Sequence, residues 1–204
     1  MPGPDPAFWQ QRFESGDTPW DRRGPSPRLI RWLDEGALKP CRIAVPGCGS
    51  GWEAVELARR GFEVTAIDCT EAACAIVRRH AEAAGVQLHV LHADVTAWNP
   101  SQPLDAIYEQ TCLCAIHPTL WRGYADSLWA WLRPGGRLAA LFMQRPRESA
   151  VREGLVEGPP YHGDINAMHA LFPDARWAWP KPPLDCVPHP AGWHELAALL
   201  ERRG

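Results

Sequence analysis

The sequence predicts an α/β domain with a mostly parallel sheet and helices on both of its faces. Two observations lead to this fold class. From Arg42 onward, short apolar runs alternate with stretches of helical periodicity, which is typical of βαβ units. A glycine-rich turn, Val45–Gly51, follows the first apolar run directly and precedes a helical stretch, as ligand-binding turns do in this class. All 204 residues are expected to form one domain, with residues 1–40 as an N-terminal lid and 41–204 as its core.

The predicted elements alternate in a regular order. In the lid, Phe8–Glu14 is a short amphipathic helix, and Pro27 opens a second helix that runs to about Leu38, with proline in the first turn, where its missing N–H costs nothing. The core elements are strand Arg42–Pro46, helix Trp52–Arg60, strand Phe62–Ile67, helix Glu71–Ala84, strand Val86–Leu91, strand Leu104–Tyr108, helix Thr119–Leu132, strand Arg137–Met143, helix Asp164–Phe172 and strand Arg176–Trp179. Propensity alone predicts a last helix over His194–Arg202.

Composition excludes several classes of function. The formal net charge is −3, with 21 basic and 24 acidic residues, which offers no basic field for nucleic acid or an anionic membrane. There is no apolar run long enough to span a bilayer and no signal peptide at the N-terminus. The seven cysteines are odd in number and lack zinc spacing, so we expect free thiols, no metal and a cytoplasmic location.

Polar residues at the predicted strand ends indicate a nucleoside site. Gly47, Gly49 and Gly51 allow a ligand to approach the backbone and its amides. Asp68, at the end of the second strand, suits two hydrogen bonds to ribose hydroxyls. Asp94, beyond the third strand, can accept from an adenine amino group, with Val95 as an apolar wall. A local role competes with each carboxylate function, since aspartate also caps helices and closes turns.

The spacing of the glycines favours an adenosyl sulfonium ligand over a dinucleotide. In the dinucleotide fingerprint Gly-x-Gly-x-x-Gly the third glycine permits close packing of helix and strand. Here the third glycine comes one residue early, and Trp52 stands in its place. A phosphate-binding loop is excluded because Gly-Lys-Ser/Thr is missing.

Several segments resemble the thiopurine S-methyltransferase superfamily, and within it the thiol and halide (thiocyanate) methyltransferases. They are Phe8–Trp9, Thr18–Asp21, Val45–Gly51, Ile67–Asp68, Ala93–Asp94, Tyr108–Pro118, Leu132–Gly136 and Gly158–Tyr161. The resemblance extends from about Phe8 to Arg202. It implies a class I methyltransferase fold, Rossmann-like, with a seven-stranded sheet and a strand rather than a helix over His194–Arg202.

The resemblance also implies roles for individual residues. Trp9, Phe13 and Trp20 would line the sulfonium side of S-adenosylmethionine, and Gly47 would contact this cofactor through its backbone. Gln110 would lie near the reactive methyl group. Arg122 would correspond to an arginine that related thiopurine enzymes carry on the side of the acceptor substrate. From the residues alone, His117 is a candidate general base, with a structural loop histidine as the alternative. Tyr124 and Tyr161 are candidates for the acceptor pocket, with packing as their alternative.

The predicted reaction is in-line transfer of the methyl group to a small nucleophile, leaving S-adenosylhomocysteine. Because a thiol is partly ionised at neutral pH and an inorganic anion needs no deprotonation, catalysis is expected from alignment and desolvation. The acceptor is left open among thiols, halides, thiopurines and chalcogen oxyanions. Two other classes remain as alternatives: a nicotinamide-dependent oxidoreductase and a non-catalytic protein that binds S-adenosylmethionine. We expect a monomer, with a dimer as the alternative.

Overall fold

The structure is a computed structural model that describes residues 3–204, with the backbone alone for residues 149–151. Within these residues the chain forms seven α-helices and eight β-strands. In chain order they are α1 (Pro6–Ser15), α2 (Pro27–Asp34), β1 (Arg42–Pro46), α3 (Trp52–Arg59), β2 (Glu63–Asp68), α4 (Glu71–Ala84), β3 (His89–His92), β4 (Leu104–Gln110), α5 (Trp121–Trp131), β5 (Leu132–Gln144), α6 (Glu148–Glu153), α7 (Ile165–Leu171), β6 (Trp177–Ala178), β7 (Asp185–Pro188) and β8 (His194–Arg202).

All the strands belong to one mixed sheet, in the order β3-β2-β1-β4-β5-β8, with β6 and β7 on the outer edge of β8. The first five strands are parallel, and β8 runs antiparallel to β5. The chain builds outward from β1 in one direction and then returns to add β4 on its other side. This reversal opens a crevice at the carboxyl ends of β1 and β4, where sheets of this kind bind ligands. The predicted α/β class is confirmed.

The sheet has one strand more than the predicted seven. The additional strand, β7, lies in a proline-rich stretch where no strand was predicted, and it pairs with the first residues of β8. Proline cannot donate to a ladder and is therefore tolerated at a sheet edge, which is where Pro188 lies.

The last strand contradicts helix propensity and confirms the strand that the resemblance implied. Leu138 pairs with Leu200, Ala140 with Ala198 and Phe142 with Leu196 along the β5–β8 ladder. Ala198 and Leu200 are almost wholly buried there. Pairing and burial outweigh a helix preference that amounts to tenths of a kcal/mol per residue.

Two apolar clusters, one on each face, hold the sheet between its helices. One face packs against α2, α3 and α4 through residues such as Trp32, Leu57 and Val77. The other packs against α5 and α7 through Leu128 and Met168. Helix α6 was not predicted from the sequence. The bounds of the other helices and strands follow the predictions within a few residues, the largest shift being β5, which begins five residues earlier than predicted. No described helix is long and apolar enough to cross a membrane.

Candidate active site

A cavity of about 730 Å³ lies between the carboxyl ends of the strands and the N-terminal segment, residues 3–40. Its volume is in the range of small-molecule sites. The structure brings most of the predicted site residues to this one cavity. They are Trp9, Phe13, Trp20, Gly47, Gly49, Gly51, Asp68, Asp94, Val95, Gln110 and His117. Their individual roles remain predictions.

The glycine turn has a shape that other residues cannot adopt without strain. Gly47, Gly49 and Gly51 all have positive φ, at +58°, +51° and +74°. A Cβ on Gly47 would lie 2.7 Å from the Cβ of Cys112, and one on Gly51 would lie 2.6 Å from a methyl carbon of Val77. The turn therefore presents backbone rather than side chains to the cavity.

Asp68 is a buried carboxylate that already holds the turn in place. Its Oδ2 accepts from the amide of Gly49 at 3.0 Å, and its Oδ1 accepts from the amide and the hydroxyl of Thr70 at 3.0 and 2.9 Å. Burial raises the pKa of Asp68, while these donors lower it. Since a carboxylate offers about four acceptor positions, one remains on Oδ2. The two hydrogen bonds to ribose hydroxyls predicted from the sequence would need more than this one position, and the ribose role of Asp68 remains a prediction.

Asp94 and Val95 form the far wall of the same cavity. Oδ1 of Asp94 accepts from the amide and the hydroxyl of Thr96, both at 2.8 Å, which closes a tight turn. Its Oδ2 accepts from no donor in the described part of the chain. Val95 is buried in the apolar cluster beside it. An exposed acceptor next to an apolar wall suits the amino group and ring face of adenine.

The aromatic residues of the N-terminal segment form one interlocked group. The ring of Trp20 lies edge-on to Trp9 at 5.5 Å and to Phe13 at 6.0 Å, and Phe8 is edge-on to Trp9 at 5.0 Å. Edge-to-face pairs of this kind fix ring orientation. Because all four line the cavity, they can offer ring faces to a sulfonium cation.

Asp21 fastens this segment to the glycine turn. Its carboxylate accepts from the hydroxyl of Ser50 at 2.5 Å and from the indole N–H of Trp52 at 2.9 Å. Trp52 in turn stacks on His80 at 4.1 Å, and Nδ1–H of His80 donates to the carbonyl of Ser50 at 2.8 Å. Trp52, which stands in place of the third fingerprint glycine, therefore stabilises the turn. Gly51 is the residue whose missing side chain lets the turn pack closely against α4.

A buried polar network supports Gln110. Its Nε2 donates to the carboxylate of Glu195 at 2.9 and 3.1 Å, and its Oε1 accepts from the hydroxyl of Tyr108 at 2.7 Å. Arg22 donates to the same carboxylate at 2.8 Å. Burial raises the pKa of Glu195 to about 7, although Arg22 and Gln110 lower it. The Gln110 amide is thus fixed in one orientation at the end of β4.

Glu109, on the opposite face of β4, shapes the next turn. It is wholly buried, and its carboxylate accepts from the amide of Leu113 at 2.6 Å. Burial raises its pKa to about 7. This contact fixes the turn after β4, whose residues Thr111, Cys112 and Cys114 line the cavity.

The ring of His117 is held at one nitrogen. Its Nδ1 accepts from the amide of Thr119 at 3.3 Å and contacts the hydroxyl of that residue at 2.9 Å. Because Nδ1 is engaged by Thr119, only Nε2 could act as a base, and the general-base role remains a prediction.

Arg122 is not brought to the cavity. The inward face of α5 is occupied by Trp121, Tyr124, Ala125 and Leu128. Arg122 lies outside this helical repeat and is exposed. Tyr124 is buried in the core and Tyr161 packs on His117 at 5.4 Å, so packing describes both tyrosines.

Sequence reasoning missed four residues that the fold places at the site. Asp21 was in the N-terminal match without an assigned role, and Arg22 lies one residue beyond that match. Arg145 and Trp193 line the cavity from the ends of β5 and β8, and no local motif marks either of them.

The fold is that of class I methyltransferases. A solved structure of a Burkholderia thailandensis N-methyltransferase that acts on 1,6-didemethyltoxoflavin, with S-adenosylhomocysteine bound, superposes with a TM-score of 0.77 at 18% identity, over 98% of this chain and 87% of that one.

The family follows from sequence comparison. The thiopurine S-methyltransferase model matches residues 4–179. A probable thiol methyltransferase of Arabidopsis thaliana is 29% identical over 80% of this chain and 70% of its own length, and a thiopurine S-methyltransferase of Legionella pneumophila is 28% identical over 76% and 74%. The chain belongs to the thiopurine S-methyltransferase family and is a methyltransferase that uses S-adenosylmethionine. Of the alternatives, the nicotinamide oxidoreductase is thereby excluded.

Proposed function

We propose that this enzyme methylates a small thiol, which it accepts as the thiolate without a protein base. The observation that carries the proposal is the composition of the cavity beyond Gln110. We assign to this acceptor end the lining residues Thr111, Cys114, Ala115, Ile116, His117, Leu120, Met143, Arg145, Pro159, Pro160 and Trp193. None of these has a carboxylate, and Nδ1 of His117 is already engaged by the amide of Thr119.

In this proposal the glycine turn and the two aspartates hold the adenosyl group. Asp68 accepts from a ribose hydroxyl, and Asp94 and Val95 receive the adenine. Trp9, Phe13 and Trp20 close over the sulfonium as part of a lid formed by residues 3–40. S-adenosylmethionine supplies a methyl group on a positive sulfur that leaves neutral, so its departure needs no acid.

Gln110 is proposed to align the acceptor at the methyl group. Tyr108 occupies one acceptor position of its amide, and the two oxygens of Glu195 share one hydrogen of Nε2 in this proposal. The second Nε2–H is then free for the incoming sulfur. A fixed N–H donor of this kind orients the thiolate and leaves it ionised. The apolar walls exclude water, which makes the thiolate more reactive.

We also propose a cytoplasmic monomer. All seven cysteines are free, as in a reducing compartment. The exposed large apolar side chains of the described residues are Leu91, Leu155 and Val156, which do not amount to an oligomer interface.

The test is an acceptor panel with product detection. The protein is incubated with S-adenosylmethionine and, separately, with alkyl thiols, aryl thiols, a thiopurine, thiocyanate, iodide and selenite, and products are measured by mass spectrometry. We expect methyl thioethers and equimolar S-adenosylhomocysteine from the thiols. Turnover of iodide or selenite with none of the thiols would contradict the proposal, and no turnover at all would favour a non-catalytic binding protein.

A further inference from the structure

Arg145 and Trp193 lie side by side where β5 ends and β8 begins, at the acceptor end of the cavity. Gln144, the last residue of β5, pairs with His194, the first residue of β8. The residues just outside this pair are Arg145 and Trp193, and the guanidinium carbon of Arg145 lies 4.0 Å from the centre of a Trp193 ring. Stacking on the indole fixes the planar guanidinium while leaving its edge free to donate.

Arg145 differs from the other two arginines that line the cavity. Arg12 is paired with Asp17 at 2.7 Å, and Arg22 is paired with Glu195 at 2.8 Å. Arg145 has no carboxylate within 4.0 Å among the residues whose side chains are described. It is half-buried, and a cation withdrawn from water without a counter-charge is destabilising.

The surroundings of Arg145 favour an incoming anion further. Its pKa is lowered, first by desolvation and then by the positive charge of Arg147. The Arg147 charge is itself matched by Glu157 at 3.4 Å, so Glu157 is already engaged. The negative charge of an anionic ligand would offset both the desolvation of Arg145 and its repulsion by Arg147.

The position of this pair specifies which part of a ligand it would meet. The adenosyl determinants Asp68 and Asp94 follow β2 and β3, on one side of Gln110, whereas Arg145 and Trp193 follow β5 and precede β8, on the other. An acceptor whose sulfur lies at Gln110, and which extends away from the adenosyl side, would have its far end toward Arg145. A single halide ion could not contact both places.

We propose that Arg145 and Trp193 form a subsite for a carboxylate on the acceptor, so that the preferred substrate is a thiol joined to a carboxylate by an apolar body. This inference rests on the proposed thiol methylation. A guanidinium edge matches a carboxylate with two parallel hydrogen bonds, and the walls between, which include Met143 and Pro160, suit an apolar spacer.

The reaction leaves the carboxylate unchanged. A lone pair of the thiolate sulfur forms the new sulfur–carbon bond as the bond between the methyl carbon and the sulfonium sulfur breaks, and that electron pair stays on the departing sulfur. The thiol proton is released to solvent before transfer. The products are a carboxylated methyl thioether and S-adenosylhomocysteine.

The test compares 4-sulfanylbenzoate with 4-methylbenzenethiol, which differ at the charged end. In the unaltered protein we expect kcat/KM to be higher for the acid by about tenfold or more, the range of a charged hydrogen bond. Arg145→Gln should remove this preference, because it should raise KM for the acid by a larger factor than KM for the neutral thiol. Arg145→Lys should retain part of it. Arg79, an exposed arginine on α4, gives the matched control Arg79→Gln, which should change neither acceptor.

The outcomes separate the two proposals. Equal kcat/KM for both thiols in the unaltered protein, or equal losses for both in Arg145→Gln, would overturn the subsite while leaving thiol methylation intact. Failure to methylate any thiol, with S-adenosylmethionine still bound, would overturn the proposed function itself. The ratio of kcat/KM between the two thiols is also measured in the unaltered protein. The test therefore does not depend on whether the Arg145→Gln variant folds.

Discussion

Arg22 and Glu195 form a buried ion pair, 2.8 Å between Nη2 and Oε2, that ties the N-terminal segment to the last strand of the sheet. The carboxylate of Glu195 is fully buried and its pKa is raised to about 7. Because the same carboxylate accepts from Gln110, this pair links the proposed lid to the residue that we propose to align the acceptor.

The first prediction concerns removal of the cation. Arg22→Met should lower the free energy of unfolding by about 3–5 kcal/mol at pH 8, since it leaves a buried carboxylate unpaired. The loss should be smaller at pH 5. Without Arg22 the folded pKa of Glu195 rises further above its unfolded value, so the protonated folded state keeps its stability at low pH and loses it as pH rises.

Urea unfolding at the two pH values measures this difference. The control is Arg31→Met, which breaks a largely exposed pair with Glu35 and should cost less than about 1 kcal/mol at either pH. Equal losses for Arg22→Met at pH 5 and pH 8 would show that the charge of Glu195 is not what Arg22 compensates.

The second prediction concerns Asp68. In Asp68→Asn, one of the two carboxylate oxygens becomes an NH₂ group, which cannot accept a hydrogen bond. The amide of Gly49 or of Thr70 then faces this NH₂ and loses its acceptor. We expect S-adenosylmethionine affinity to fall by about a hundredfold, equivalent to about 2.7 kcal/mol, in calorimetric titration. Asp94→Asn keeps the Oδ1 acceptor of its turn and should lose less. Equal affinities for Asp68→Asn and the unaltered protein would remove Asp68 from the site.

The third prediction separates backbone strain from close contact in the glycine turn. Gly47→Ala places a Cβ 2.7 Å from Cys112, whereas Gly85→Ala has a similar positive φ and nothing within 4 Å. The second change should cost about 1–2 kcal/mol of strain, and the first should cost about 1–3 kcal/mol more. Chemical unfolding of both variants measures the difference, and equal costs would mean that Cys112 yields to the new methyl group.

The fourth prediction concerns His117. His117→Asn can still accept from the amide of Thr119, and kcat with a thiol acceptor should stay within about twofold. A general base would be worth a factor of about a hundred or more. Steady-state kinetics with saturating S-adenosylmethionine measure this, and a loss of that size with unchanged cofactor affinity would restore His117 as a base.

The features predicted from the sequence are those whose signal is local. The glycines, Asp68 and Asp94 each follow a strand within a few residues, so their meeting at one edge of the sheet follows from the fold class. Residues brought together by the last strand gave no such signal. Glu195 lies in a segment of helical propensity and Trp193 directly precedes it. Only the pairing of β8 with β5 places them beside Gln110 and Arg145.

Arg122 shows a different limit. Its position in the chain matched a family arginine, but one step along a helix turns a side chain by about 100°. The apolar period of α5 decides which side faces inward, and that period places Trp121 and Tyr124 there instead.

Transfer to a thiolate formed in solution is tested most directly by the pH dependence of kcat/KM for two alkyl thiols, one with a pKa near about 8.5 and one about a unit higher. Between pH 7.5 and 10.5 the rate should rise with pH and level off at the pKa of each thiol, so that the break moves by about one unit between the two acceptors. A break at the same pH for both thiols would contradict this mechanism, because it would belong to a titrating group of the protein.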